Sequence, residues 1–395
     1  MCICCPLPYA YVAQYNTIQV AVHTELLRLF TKSAPLAAGA GGQDPIVVHT
    51  AFTLAKSVHD AIDATTSLET RRDSSALLVS FLARVDFGQD FEQHLNFLVD
   101  CRRFLATLDD VTRALTMAVL QLAATTTRKV KLQHTRRTMA FVKACLAYAH
   151  VSIAAVQDKV WQLNTMVLAA QQALALGLLS HTDSFLKGAI NLIVDIPALP
   201  NPPTDAALVS SIASLTSLLI LVPGHPEHGP FYLVQGLLNA IKEYPWASDS
   251  SQLTCYANVI VLLCAQAQHK MPVGIAMDSV VEANDVLFAR DEEFLAQLHV
   301  ILASLAGQGL EVLRRSKDAG VALKLLNTFL ATAQLSPAAA GHVWEMFAIA
   351  KRHASSAADR AHLSNTIRYC RQLGANESIK GARLYQELAN KMLAR

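Results

Sequence analysis

Charge is the scarcest ingredient of this chain. Lys and Arg number 33 and Asp and Glu 31, so charged residues make up 16% of the 395, well under the roughly 25% usual for soluble domains. With 52% hydrophobic residues, the chain can bury a large core but has little charge to cover itself, and a surface of that kind expects partners. A formal net charge of +2 supplies no general pull toward nucleic acid or anionic lipid. Long apolar runs are also lacking. The most apolar stretch, LVSSIASLTSLLILV at 208–222, has about 15 residues interrupted by Ser and Thr, short of the ~20 that span a bilayer. The opening MCICC lacks the basic segment of a signal peptide. A soluble, cytoplasmic protein is expected.

Disulfide spacing is missing as well. The eight cysteines stand at 2, 4, 5, 101, 145, 255, 264 and 370, in no framework pattern, which points to a reducing compartment. Cys101, Cys145, Cys255 and Cys264 fall inside apolar helical patterns, where a small buried thiol is the default. The three N-terminal thiols have no second ligand pair at zinc-site distance.

What the chain has in abundance is helical periodicity. Leu208, Ile212, Leu215, Leu219 and Val222 fall on one stripe; so do Phe231, Val234, Leu237, Leu238 and Ile241, and again Phe141, Cys145 and Tyr148. No alternating strand of useful length interrupts them. Asp44-Pro45 and Ser336-Pro337 each place a capping side chain before a proline suited to the first helical position. Breaks at 37–43, 197–203, 223–230 and 271–274 leave about 16 helices joined by short loops, which makes consecutive helices antiparallel neighbours. Many such pairs cannot close into one globule, but they can stack. The expectation is all-α: a HEAT-like α-solenoid of antiparallel helix pairs, about 40–47 residues per pair.

Four motifs invite a chemical reading. HPEH, at His225, Pro226, Glu227 and His228, sits among Pro223, Gly224, Gly229 and Pro230, so it is a loop rather than a helix. Two ligands do not make a metal site, and Pro230 is expected to open a helix over 231–243. Asp86-Phe87-Gly88 spells the kinase DFG, but no glycine-rich phosphate loop, HRD loop or strand lysine accompanies it. Gly88 is expected instead to end a helix, with the next running from about Gln89 to Ala106. GAGG at 39–42 lacks the lysine and Ser/Thr of a phosphate loop and reads as a linker. RKVKLQHTRR at 128–137 gathers Arg128, Lys129, Lys131, Arg136 and Arg137. It reads first as a solvated helix end, with an acidic partner surface as the functional alternative. No interleaved aromatics mark it for nucleic acid. No catalytic, cofactor-binding or metal-ligating residue is expected, and no enzyme.

Three strings carry a resemblance: SFLARVDFGQDFEQHLNFLVDCRRF (80–104), TRKVKLQHTRRTMAFVKACLAYAHVSI (127–153) and LLILVPGHPEHGPFYLVQGLLNAIKEYPW (218–246). They resemble the C-terminal half of the large scaffold subunit of Retriever, a paralogue of the vacuolar-protein-sorting solenoid of retromer. The likeness runs from about Asp44 to Ala389, leaving 1–43 as a poorly matched N-terminal segment with a Gly-rich linker and 44–395 as the HEAT-like solenoid. It implies a non-catalytic scaffold, cytoplasmic and peripheral on endosomes, that recycles membrane cargo to the cell surface. Implied partners are a metallophosphoesterase-like subunit on the C-terminal solenoid, an arrestin-like subunit on the N-terminal half, a COMM-domain/coiled-coil assembly and a sorting-nexin adaptor, with no nucleic acid. Family members are longer, so the chain is expected to be a fragment or a short form. His225, Pro226, Glu227, His228 and Phe231, with the five basic residues of 128–137, are the candidate partner contacts. A retromer-type subunit and a nuclear-transport or RNA-binding helical repeat are the rival readings.

Overall fold

The protein is described by a computed structural model covering residues 7–32, 44–131, 133–198, 202–222, 227–267, 292–316, 318–332, 337–376 and 382–394. The expectations placed on MCICC, GAGG, His225, Pro226, Ser336 and the break at 271–274 lie outside the described residues. Those described form sixteen α-helices and one 3-10 turn, with no β-strand among them. The chain is an all-α helical-repeat protein. It divides into two compact units, Met1–Asp158 and Lys159–Arg395.

The first unit holds α1 (Leu7–Lys32), α2 (Pro45–Asp60), α3 (Leu68–Arg84), α4 (Phe91–Leu105), α5 (Asp109–Lys129) and α6 (Arg136–Ile153). Most helices pack on their successor, as α1 on α2, α2 on α3, α4 on α5 and α5 on α6. Alternate helices also touch, as α1 on α3, α2 on α4 and α3 on α5. Contact to the next helix and the next but one is what stacked antiparallel pairs produce.

The second unit repeats the rule with α7 (Lys159–Ala175), α8 (Leu179–Asp195), the 3-10 turn Ile196–Ala198, α9 (Asp205–Leu219), α10 (Tyr232–Glu243), α11 (Asp249–Gln266), α12 (Glu292–Arg315), α13 (Ala319–Thr332), α14 (Pro337–His353), α15 (Ala357–Ala375) and α16 (Ala382–Leu393). Here α7 meets α9, α8 meets α10, α11 meets α13, and α14 meets α16, alongside sequential pairs such as α7 with α8, α13 with α14 and α15 with α16.

Local chemistry sets the helix starts. Asp44 accepts the Ile46 N–H at 2.9 Å with Pro45 at the first helical position. Ser67, Asp90, Thr135, Thr204 and Ser248 cap α3, α4, α6, α9 and α11 in the same way. Ser356 and Asp359 close a reciprocal capping box on α15. Each such cap stabilises by about 1 kcal/mol.

The shortage of charge follows from how the inner helices pack. α11 touches α9, α10, α12 and α13 and buries Leu253, Cys255, Tyr256, Ala257, Val259, Ile260, Leu262, Leu263 and Cys264, residues spread over more than half of its circumference. A helix covered on several sides has no polar face to spend on charge. Its relatives tolerate Ser and Thr because the hydroxyls bond back one turn: Thr116 to the Thr112 carbonyl at 2.7 Å, and Thr216 to that of Ile212 at 2.7 Å.

One described helix, α12, is long and apolar enough to cross a bilayer by length and composition. Its Phe294, Leu298, Leu302, Leu305 and Leu313 are buried on one stripe, and it packs on α11 and α14. That is the signature of a core helix.

Three expectations need correcting. α3 ends at Arg84, not at Gly88. Gly88 sits in the following loop with φ +63°, and α4 begins at Phe91. α10 begins at Tyr232 with Phe231 at its cap, so Pro230 lies outside the helix. Phe141 shares the α6 stripe of Cys145 and Tyr148 yet is only half-buried, while those two are buried.

Candidate functional site

Two of the three distinctive strings meet in the first unit. The loop 85–90 leads into α4, and the basic segment joins α5 to α6. Where they come together is a groove of about 560 Å³ lined by Phe87, Gln89, Asp90, Phe91, Glu92, Thr126, Arg137, Thr138 and Phe141.

The loop is built by short-range bonds. Gly88 donates its N–H to the Asp86 carboxylate at 2.8 Å, a turn that requires the left-handed backbone glycine adopts without strain. The Asp90 N–H reaches back to the Phe87 carbonyl at 3.2 Å, and the Asp90 side chain caps α4 by accepting the Gln93 N–H at 2.9 Å. Phe87 is thereby turned inward against Phe97, ring centroids 5.6 Å apart, and against His94 at the same distance. Burial pushes the His94 imidazole below its ordinary value, so it stays neutral near pH 7.

Arg137 crosses the groove. Its Nε and Nη2 donate to the two carboxylate oxygens of Glu92 at 2.7 and 2.6 Å, a bidentate pair with good fork geometry. The guanidinium holds the Glu92 carboxyl below its ordinary range. Lys129 lies 4.3 Å over the Phe91 ring. Arg128, Lys131 and Arg136 are exposed, and among the described residues no carboxylate pairs with them. Lys131 holds φ +50°, a conformation uncommon for a residue with a side chain.

The third string forms a corner in the second unit. Glu227 and His228 are exposed in a turn, and Gly229 takes φ +84°. Phe231 faces inward: it is 3% exposed and stacks on Phe294 with centroids 4.7 Å apart. His228 lies against Tyr232 at 5.4 Å, and Lys187, paired to Asp183 at 2.9 Å, sits 5.0 Å over the Tyr232 ring. The corner is therefore an aromatic clasp with polar tips. No group of three or more His, Cys, Asp or Glu side chains that could hold a metal occurs among the described residues.

Nor are the described thiols placed for nucleophilic work. Cys101, Cys145, Cys255, Cys264 and Cys370 are buried, and burial pushes Cys145 and Cys255 up to about 12 and Cys370 to about 11. Thiols held protonated in apolar surroundings behave as small hydrophobes.

Reading the sequence alone missed Phe87, Phe91, Glu92 and Phe141 as groove residues and Phe294 as the partner of Phe231. Asp86 two residues before Gly88 was the available signal for the loop. Nothing in the sequence signalled Phe294.

Residues 3–395 match the family model described as the VPS35L C-terminal domain. Among curated proteins, the chain is 32% identical over 363 residues to a VPS35 endosomal protein sorting factor-like protein of Dictyostelium discoideum, covering 88% of this chain and 36% of that one. It is 30% identical over 380 residues to the human VPS35 endosomal protein-sorting factor-like protein, covering 93% and 38%. For the Drosophila melanogaster relative the values are 28% over 323 residues, 80% and 32%. The chain thus spans about a third of the length of these relatives.

Proposed function

The chain belongs to the VPS35L C-terminal domain family, and from that premise we propose that it is a non-enzymatic scaffold of an endosomal sorting complex. The observation that carries the reading is the match along nearly the whole chain to endosomal sorting factors. The packing supports it. Stacked helix pairs in both units offer extended faces and no strand-end crevice of the kind that hosts most catalysis, and the described cysteines are buried in the packing.

In finer terms, the chain holds a metallophosphoesterase-like subunit and takes part, with an arrestin-like subunit, a COMM-domain/coiled-coil assembly and a sorting-nexin adaptor, in returning membrane cargo to the cell surface. It works in the cytoplasm, peripheral to endosomes. The corner from His225 to Phe231 contributes its polar tips, Glu227 and His228, to a partner surface, with Phe231 fixing them from inside.

Co-purification from cells expressing the tagged chain tests this. The expected result is stoichiometric recovery of the metallophosphoesterase-like subunit. Recovery of the chain without that subunit, at expression levels where the chain is folded by circular dichroism, overturns the finer reading.

A further inference from the structure

We propose that the groove between the N-terminal ends of α4 and α6 docks an acidic, extended protein segment carrying an apolar side chain. The assignment stands on the groove itself and holds whether or not the endosomal reading does.

Charge around the groove is asymmetric. Every carboxylate at the groove is already engaged within the fold. Asp86 accepts from the Gly88 N–H, Asp90 caps α4 through the Gln93 N–H, and Glu92 takes both guanidinium donors of Arg137. The cations are not so matched. Arg128, Lys131 and Arg136 are exposed and stand close in sequence to the lining residues Thr126 and Arg137, with no ion pair to any described carboxylate. Arg136 opens α6, where the positive end of the helix dipole disfavours a cation. An anionic occupant would relieve that arrangement. A like-charged one would worsen it.

The floor supplies the second half of the description. Phe87, Phe91 and Phe141 give the groove an apolar lining, and about 560 Å³ is within the range that seats a small apolar group. The rings are recessed: Phe87 is buried, and Phe91 and Phe141 are half-buried. They can receive a side chain, but they do not project to insert into a bilayer, nor do they present open faces for stacked bases. A peptide with intermittent acids and one apolar anchor fits better than either.

Fluorescence polarisation with the full chain provides the test. The probe is a fluorescein-labelled peptide of about a dozen residues, alternating Asp and Glu around a central Phe, an extended ligand of the kind grooves take. Comparison peptides replace the Phe with Ser, or the acids with Asn and Gln; phosphatidylserine vesicles form a separate arm. The combined variant Arg128→Glu, Lys131→Glu, Arg136→Glu should weaken the probe by about tenfold or more. Losing the Phe should weaken it about fivefold. The milder Arg128→Gln, Lys131→Gln, Arg136→Gln variant should lie between, with circular dichroism melting as the check on folding for both.

Equal binding by the parent and both variants overturns the proposal. Equal binding of the Phe and Ser peptides reduces the site to bulk charge attraction and overturns it too. Vesicle binding that depends on the three cations, with no peptide binding, replaces it with a membrane contact.

Discussion

The corner and the groove began as the same kind of feature, a polar break between two helices in a distinctive string, and the fold treats them in opposite ways. At the corner the aromatics are consumed internally: Phe231 stacks on Phe294, and Tyr232 is covered by Lys187 and His228. At the groove, Phe91 and Phe141 stay half-exposed in its lining. Distinctiveness in sequence therefore marks two different physical jobs. One string spends its unusual residues on holding two helices together. The other leaves them available.

The largest expected effect separates the two. Phe231→Ala removes a buried ring from a stacked pair and should destabilise the second unit by about 3–5 kcal/mol, read as a shift in the urea midpoint. Phe141→Ala, made at a half-buried position with open space beside it, should cost about 1–2 kcal/mol, since less area leaves water in the first place. Equal losses at the two positions would mean that the groove is as closed in solution as the corner, and the contrast would fail.

Next in size come the glycines on which both loops pivot. Gly88 and Gly229 have φ +63° and +84°, where a side chain costs about 1–2 kcal/mol. Around Gly229 an added Cβ would meet nothing within 4 Å, so Gly229→Ala isolates the backbone cost alone. Gly88→Ala should match it in stability but also move Phe87 and the groove wall. Asn at either position, which tolerates this conformation, should recover much of the loss. Thermal melts of the four variants check the ordering.

Much of the architecture was readable from the residues, for reasons that are local. Asp44-Pro45 is a helix start whatever surrounds it, and the α9 and α10 stripes report their buried faces through spacing alone. The buried thiols Cys101, Cys145, Cys255 and Cys264 follow from the same apolar patterns. What could not be read depends on contacts distant in sequence. Phe141 carries the spacing of a core residue, but in the groove it stays half-covered. Phe231 carries the spacing of a core residue and is buried, but nothing local names Phe294 as the ring that covers it. The groove exists because Glu92 and Arg137, 45 residues apart, face each other, and no local pattern encodes that pairing. Asp86-Phe87-Gly88, set aside as a kinase element on its sequence context, still shapes the site through its turn.

The smallest expected effect concerns that ion pair, and it distinguishes the regions by acid rather than by mutation. Arg137 holds the Glu92 carboxyl below its ordinary value of 4.5. A group depressed in the folded state stabilises fully above its unfolded value and loses that contribution as pH falls through the folded one. The pair is solvent-exposed, 81% and 52% at its two side chains, so the effect is small and screened by salt. Asp63 and Asp359 are likewise depressed by their hydrogen bonds, so total acid sensitivity is uninformative. The informative quantity is the difference between the protein and Arg137→Gln, in which those two carboxylates cancel. That difference should be steady from pH 7 down to the ordinary carboxylate range, shrink below it, and shrink at any pH when salt is raised. Stacked rings have no proton to gain, so the parent-minus-variant difference for Phe231→Ala should stay flat over the same range. A Phe231→Ala difference that fell with acid in step with that of Arg137→Gln would show that the corner, too, leans on charge.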